Sequence, residues 1–238
     1  MDFCMKSAET PDYAVILWDN DGVLVDTERL YFQATREAFA RVGVDLTEKL
    51  FLEYFLLQSE GTSKFGLANG LSETGIAELR LVRDKRYQQL LRQEQIMIDG
   101  VRDTLEMLRP HFVMGIVTSS LRRHFETIHS RTSLLELFDF TITREDYVDA
   151  KPAPDPYLSA IARSGYPADR CLAIEDSPRG LIAARAAGLD CWVIPTDLTR
   201  RAAFTGATRV LERISEVPPL LLDAKRLRSW TRSLPRIR

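Results

Sequence analysis

The chain has few of the residues that staple or metal-clip a fold. Only three cysteines, Cys4, Cys171 and Cys191, occur in 238 residues, an odd set with no CxxC pair. That excludes a disulfide framework and points to reduced core thiols. Histidine is equally scarce. His111, His124 and His129 lack zinc-site spacing, and surface helix or loop positions are expected for all three. No apolar run is long enough to cross a bilayer, and MDFCMKSAET carries acidic residues where a signal peptide would have an apolar core. A cytoplasmic protein is therefore expected. An excess of one charge is missing too: 32 Lys and Arg face 34 Asp and Glu, a net charge of -2. Neither nucleic acid nor a membrane is expected as a partner. The basic stretch 225–238, with Arg226, Arg228, Arg232, Arg236 and Arg238 around Trp230, reads as a solvated terminus. The remaining composition, 45% hydrophobic and 28% charged, is that of an ordinary globular protein, long enough for one large domain or a core with an inserted lobe.

The chain is organised around YAVILWDNDGVLVDTE, Tyr13 to Glu28. Tyr13 to Trp18 show no polar alternation, which suits a strand buried on both faces, as in the centre of a parallel sheet. Parallel sheets keep their chemistry at strand carboxyl ends, where Asp19 falls. Alternation sends Asp19 and Asp21 roughly the same way and Asn20 elsewhere, and Gly22 lets the backbone turn sharply. Two carboxylates this close repel, unless a hard cation or a shared proton relieves them. A surface turn or a calcium loop would share the same letters.

From Thr27 the period becomes helical as far as Gly43, and a second helix starts near Asp45 and Thr47. The polar segment Gln58 to Lys64, with Gly61, reads as a loop. Ser72 can cap a long helix over Glu73 to Gln93. Residues 27–96 thus form an all-helical block, expected as a cap inserted in a core of residues 1–26 and 97–238. Strand and helix then alternate: strands at Phe112 to Val117, Phe138 to Thr143, Cys171 to Ile174 and Cys191 to Ile194, helices at Val101 to Leu108, Leu121 to Ser130, Pro156 to Arg163 and Pro178 to Ala187, and an edge element at Val210 to Ile214. The expected fold class is α/β, a three-layer Rossmann-like parallel sheet with an inserted helical domain.

Three later stretches add chemistry. Thr118 closes the strand in GIVTSS, and the N–H groups of Ser119 and Ser120 at a helix start would suit an anion, although Thr there is also a common helix cap. Lys151 in KPAPDPY sits on a stiff proline-rich segment, and could equally be solvated. Glu175 and Asp176 end a second strand before a helix, where acids also complement a helix dipole. Acidic oxygen ligands on separate strand ends suit magnesium.

DNDGVLVDTE, GIVTSS, KPAPDPY and AIEDSPRG, in that order, closely resemble the motifs of haloacid dehalogenase-like phosphohydrolases, in the subgroup of phosphoglycolate phosphatases and β-phosphoglucomutases. The resemblance covers roughly residues 13 to 195. It implies that Asp19 attacks phosphorus to form an aspartyl-phosphate, and that Asp21 protonates the leaving oxygen and later activates water. It implies phosphate-binding roles around Asn20, Thr118, Ser119, Ser120 and Lys151, and a Mg2+ held by Asp19, the backbone carbonyl of Asp21 and Asp176, with Glu175 adjacent. Asp21 argues against dehalogenation, which uses a lone aspartate. Tyr31 stands where the mutases carry a histidine, so hydrolysis of a small phosphorylated substrate is expected over the mutase reaction, with a non-catalytic phosphometabolite-binding protein as the alternative from another class. Lys64 is expected to face the leaving group, with Ser59, Glu60, Thr62 and Ser63 near it. The oligomeric state is not legible.

Overall fold

Strand β1, Val15–Trp18, is buried along its whole length at the centre of a six-stranded sheet. The computed structural model describes residues 12–56 and 61–223. The other strands are β2 (Val113–Val117), β3 (Phe140–Ile142), β4 (Cys171–Glu175), β5 (Asp190–Val193) and β6 (Arg209–Val210), in the order β3-β2-β1-β4-β5-β6 and all parallel. The period of two along β1 divides its side chains between two apolar layers. Val15 and Leu17 join Tyr157, Ala160, Leu181 and Ala184, whereas Ile16 and Trp18 join Leu105, Leu108, Phe125 and Val217. The first layer belongs to α7 (Asp155–Ser164) and α8 (Pro178–Ala186), the second to α5 (Val101–Leu108), α6 (Arg122–His129) and the helical residues 217–223. The chain runs outward from β1 to β3 and returns to β4 on the other side. The strand order therefore reverses beside β1, which opens a crevice at the carboxyl ends of β1 and β4.

Between β1 and α5 lie α1 (Glu28–Ala40), α2 (Glu48–Phe51), a π-helical turn over Leu52–Leu56, α3 (Gly61–Ala68) and α4 (Glu73–Gln93). The Ser72 hydroxyl accepts the Gly75 N–H at 3.1 Å, so α4 starts where its cap places it. Phe39, Phe51, Phe55 and Phe65 form the core of this block, Phe51 stacked on Phe55 at 5.0 Å. The entering and leaving chains run side by side: Asp26 donates its N–H to the carbonyl of Ile96 at 2.7 Å, and Ile98 to that of Leu24 at 3.2 Å.

Two expectations are corrected. Gly61 to Lys64 open α3 instead of forming a loop. Gly61 packs so closely on the Phe55 ring that a β-carbon would overlap it, so tertiary packing overrides the local glycine preference. Ser59, Glu60 and the basic stretch 225–238 lie outside the described residues. His124 and His129, expected at the surface, are both buried, because His124, Phe125, Ile128 and His129 recur at the spacing that forms the inner face of α6. Cys171 and Cys191 are free and buried, as expected; Cys4 lies outside the described residues. No described helix is long and apolar enough to cross a membrane.

Candidate active site

The crevice gathers the acids. Asp19, the residue after β1, is 7% exposed, and its Oδ1 accepts from Lys151 Nζ at 2.5 Å. The same ammonium donates to Glu175 Oε1 at 2.7 Å and to the carbonyl of Val117 at 3.0 Å. Tyr157, on α7, donates its hydroxyl to that Glu175 oxygen at 2.6 Å, and its ring lies 5.0 Å from Lys151 Nζ. Lys151 is thus a fully enclosed cation with every donor satisfied. Burial alone would pull it down, but Asp19 and then Glu175 outweigh that and hold it above the ordinary lysine range.

Asp21 turns the same way as Asp19 but meets hydroxyls. Its Oδ1 accepts from Thr27 Oγ1, and its Oδ2 from Thr118 Oγ1 at 3.0 Å and Ser120 Oγ at 2.9 Å. Gly22 follows at φ +87°, and a β-carbon there would strike the Asp176 carboxylate, so glycine is needed both for the turn and for the close approach.

Asp19, Glu175 and Asp176 each offer a carboxylate oxygen within 4.8 Å of the others. Asp176 Oδ2 is buried with no hydrogen-bond partner among the described residues. Lys151 bonds two of these three carboxylates, Asp19 and Glu175, and Asp176 has no share in it. Burial pushes Asp19 up to about 7, against the pull of Lys151, and burial followed by Glu28, Asp19 and Glu175 pushes Asp176 well above its usual range. An all-oxygen set of three crowded carboxylates with one orphaned oxygen fits a hard divalent cation, which would favour their ionised forms. Glu175 serves Lys151 and Tyr157 with one oxygen and leans its other on the Asp176 N–H at 3.3 Å and Ser177 Oγ at 3.4 Å. Its carboxylate lies where a β-carbon of Gly180 would go. Gly180→Ala is therefore expected to cost about 1–3 kcal/mol in chemical denaturation by displacing Glu175 and loosening Lys151; unchanged stability would contradict this packing.

A cleft of about 330 Å³ opens beside Asp21, walled by Tyr31, Phe51, Phe55, Leu56 and Tyr87 from the helical block and by Ser119, Ser120 and His124 from the sheet side. Its charged lining is Asp21, Glu28, Arg80, Arg83 and Arg179. Burial pushes Glu28 up to about 8, with Arg179 opposing. Arg83, 8% exposed, donates to Thr62 Oγ1 at 2.7 Å and from Nε and Nη2 to the one Asp84 oxygen Oδ1 at 2.9 and 2.7 Å, and stacks over Tyr31 at 4.9 Å.

Asp19, Asp21, Thr118, Ser120, Lys151, Glu175 and Asp176 converge as expected; three expected details differ. The Asn20 side chain is fully buried, facing the opposite layer, where its Oδ1 meets His129 Nε2 at 2.8 Å. Helix α6 begins at Arg122, after Ser119 and Ser120, and its Arg122 N–H is occupied by the Glu145 carboxylate at 3.0 and 3.1 Å, while the Ser120 N–H binds Thr118 Oγ1 at 3.0 Å. Lys64 is exposed on α3 and is not part of the cleft lining. The sequence alone does not assign Tyr157, Thr27, Glu28, Arg83 or Arg179 to the site, and it places His124 at the surface instead. Arg83 carried a usable signal, since it occupies an inward position in the series Ile76, Leu79, Arg83, Tyr87, Leu90.

His129 predicts a pH effect. Burial lowers it from 6.5 to about 4, so between those values the unfolded chain binds a proton that the folded chain does not. The contribution is fully present above about 6.5 and is lost as pH falls toward 4, on the order of 3 kcal/mol. Urea midpoints of wild type and His129→Gln should converge over that interval; a constant gap would refute it.

Residues 16–194 match the profile of the haloacid dehalogenase-like hydrolase family. CbbY of Cereibacter sphaeroides is 31% identical over 214 residues, covering 85% of this chain and 93% of that protein. Hexitol phosphatase B of Escherichia coli is 28% identical over 185 residues, covering 75% and 82%. The crystal structure of a CbbY variant from Rhodobacter sphaeroides, in complex with xylulose-(1,5)bisphosphate, superposes with a TM-score of 0.72 at 26% identity, covering 87% of this chain and 96% of that one. With the fold, the motif order and the gathered acids in agreement, the chain belongs to the haloacid dehalogenase-like hydrolase family.

Proposed function

We propose that the protein is a magnesium-dependent phosphatase that hydrolyses a small, sugar-like phosphate ester through an aspartyl-phosphate on Asp19. The observation that carries this reading is the single crevice holding Asp19 on Lys151 and Asp21 on its hydroxyls at the floor of a cleft. The oxygen of Asp19 not held by Lys151 is the nucleophile, and Lys151 orients the carboxylate and favours its ionised form against burial. Asp21 gives a proton to the leaving oxygen and takes one from the attacking water. Its hydroxyl partners can reverse from donor to acceptor, which lets Asp21 stay in place while its proton comes and goes. Ser119 and Ser120 line the phosphate side of the cleft, and Glu175 positions Lys151. Asp19, Asp176 and the backbone carbonyl of Asp21 would hold the magnesium ion, whose charge neutralises phosphate oxygens.

Residues 27–96 act in this reading as a cap domain over a core of 1–26 and 97–238, hinged at the paired segments around Asp26 and Ile96. The sugar-phosphate class is supported by the names of CbbY's ligand and of the hexitol phosphatase. Tyr31, packed edge-on against Tyr87 at 5.3 Å beneath Arg83, supports hydrolysis over the mutase reaction, since it is a wall residue where the mutases carry a histidine.

Phosphate release from an aryl phosphate and a panel of pentose, pentulose and hexitol phosphates, with and without magnesium, tests this. Chelation should lower turnover by about 100-fold or more. Binding of a phosphosugar without any turnover would favour the non-catalytic alternative. Arg83→Leu should raise KM for the best sugar phosphate about tenfold and change aryl phosphate turnover by less than about threefold. Equal losses on both would remove Arg83 from leaving-group recognition.

A further inference from the structure

Between the two aspartates the chain places an amide where a parallel sheet ordinarily keeps apolar groups. Asn20 follows the alternation of Ile16 and Trp18 into the layer holding Phe125 and Leu134, and is fully enclosed. The amide oxygen finds a partner in His129, itself 5% exposed, on α6, whereas Asn20 Nδ2 has none among the described residues. The chain of contacts continues: His129 Nδ1 lies 2.9 Å from Thr132 Oγ1, which also accepts the Leu134 N–H at 3.3 Å. Because Asn20 Oδ1 only accepts, the proton sits on Nε2 and Thr132 donates to Nδ1, an assignment made from the network. Burial holds the imidazole neutral, which keeps that donor and acceptor pattern intact at neutral pH.

The backbone of Asn20 is just as engaged. Its carbonyl accepts the N–H groups of Leu24 at 2.9 Å and Val25 at 3.1 Å, closing the turn that aims Asp21 at Thr118 and Ser120. Fixing residue 20 therefore fixes the peptide units on both sides of it, which carry Asp19 and Asp21. The anchor is itself held, because α6 also meets α4 through Arg123 on Asp84 at 2.7 Å and through His124, edge-on to Tyr87 at 5.3 Å.

We propose that His129 is a positioning residue for the reaction, holding through Asn20 the backbone that presents both Asp19 and Asp21. This rests on the phosphatase reading of those two acids. A polar pair buried only for stability would be replaceable by two apolar side chains of similar size; a pair that aims the loop would not.

Three variants separate these cases with an aryl phosphate as substrate. His129→Leu should lower kcat by about 10- to 100-fold with KM within about threefold of wild type. His129→Gln, which can still donate to Asn20 Oδ1, should return kcat to within about fivefold of wild type. The double variant Asn20→Leu/His129→Leu should recover the thermal midpoint but not kcat. Retention of kcat in His129→Leu, or recovery of kcat together with the midpoint in the double variant, would overturn the proposal while the phosphatase reading stands. A wild type inert toward every phosphate ester would overturn that reading and this proposal with it.

Discussion

Asp19→Asn is expected to abolish phosphate release, by about 10⁴-fold or more, from every ester the wild type accepts. The amide keeps the size and shape of the carboxylate but has no charge with which to attack phosphorus. The fold should survive. The introduced amide would still offer Lys151 a carbonyl oxygen, Glu175 remains 2.7 Å from that ammonium, and one of three crowded buried acids has been neutralised. Stability should therefore change by less than about 2 kcal/mol in either direction. Binding of the sugar phosphate should persist, measurable by calorimetry, because the cleft wall is untouched. Turnover above about a tenth of wild type would show that some other group is the nucleophile.

Lys151→Met should fail in both respects at once. The ammonium is the one cation bonded to Asp19 and Glu175 among the described residues, at 2.5 and 2.7 Å, and its side chain is 3% exposed. Removing it leaves Asp19 and Glu175 enclosed without the cation bonded to them, a change that costs about 3–5 kcal/mol when a buried ion pair loses one partner. Magnesium should recover part of that loss by supplying the missing charge, which urea titrations with and without the ion would read directly. Turnover should fall by about 10³-fold even where magnesium has restored the fold, since Asp19 loses its orientation and the phosphate loses a cation. A variant as stable as wild type would mean that Asp19 and Glu175 do not need the Lys151 charge in their enclosure.

The parts of the molecule legible beforehand share a physical origin. β1 could be read because a run of Val, Ile, Leu and Trp without alternation has few stable homes other than a central parallel strand. α4 could be read from its Ser72 cap and its regular apolar spacing. Asp19, Asp21, Lys151 and Asp176 could be read because each sits at a strand end or in the loop after one, where topology brings carboxyl ends together. The start of α3 could not be read, because Gly61 is helical only through its packing on Phe55. Nor could the burial of His129 and Asn20 be read, because each is costly alone and tolerable only when the other is 2.8 Å away, 109 residues distant in the chain. Arg83 was missed for a different reason: an arginine on an inward helical position looks like a break in the apolar stripe until Thr62, Asp84 and Tyr31 are seen to surround it.

Local order in the chain determined the alternation of strands and helices, the strand-end placement of the acids and the family, because periodicity and turn chemistry act over a few residues. Tertiary structure alone decided which charges share an enclosure, which oxygen of Asp176 is left without a donor and which partner meets Asn20. Those depend on contacts between segments from 24 to more than a hundred residues apart, and Coulomb energy and desolvation depend on distance in space, which no local pattern encodes.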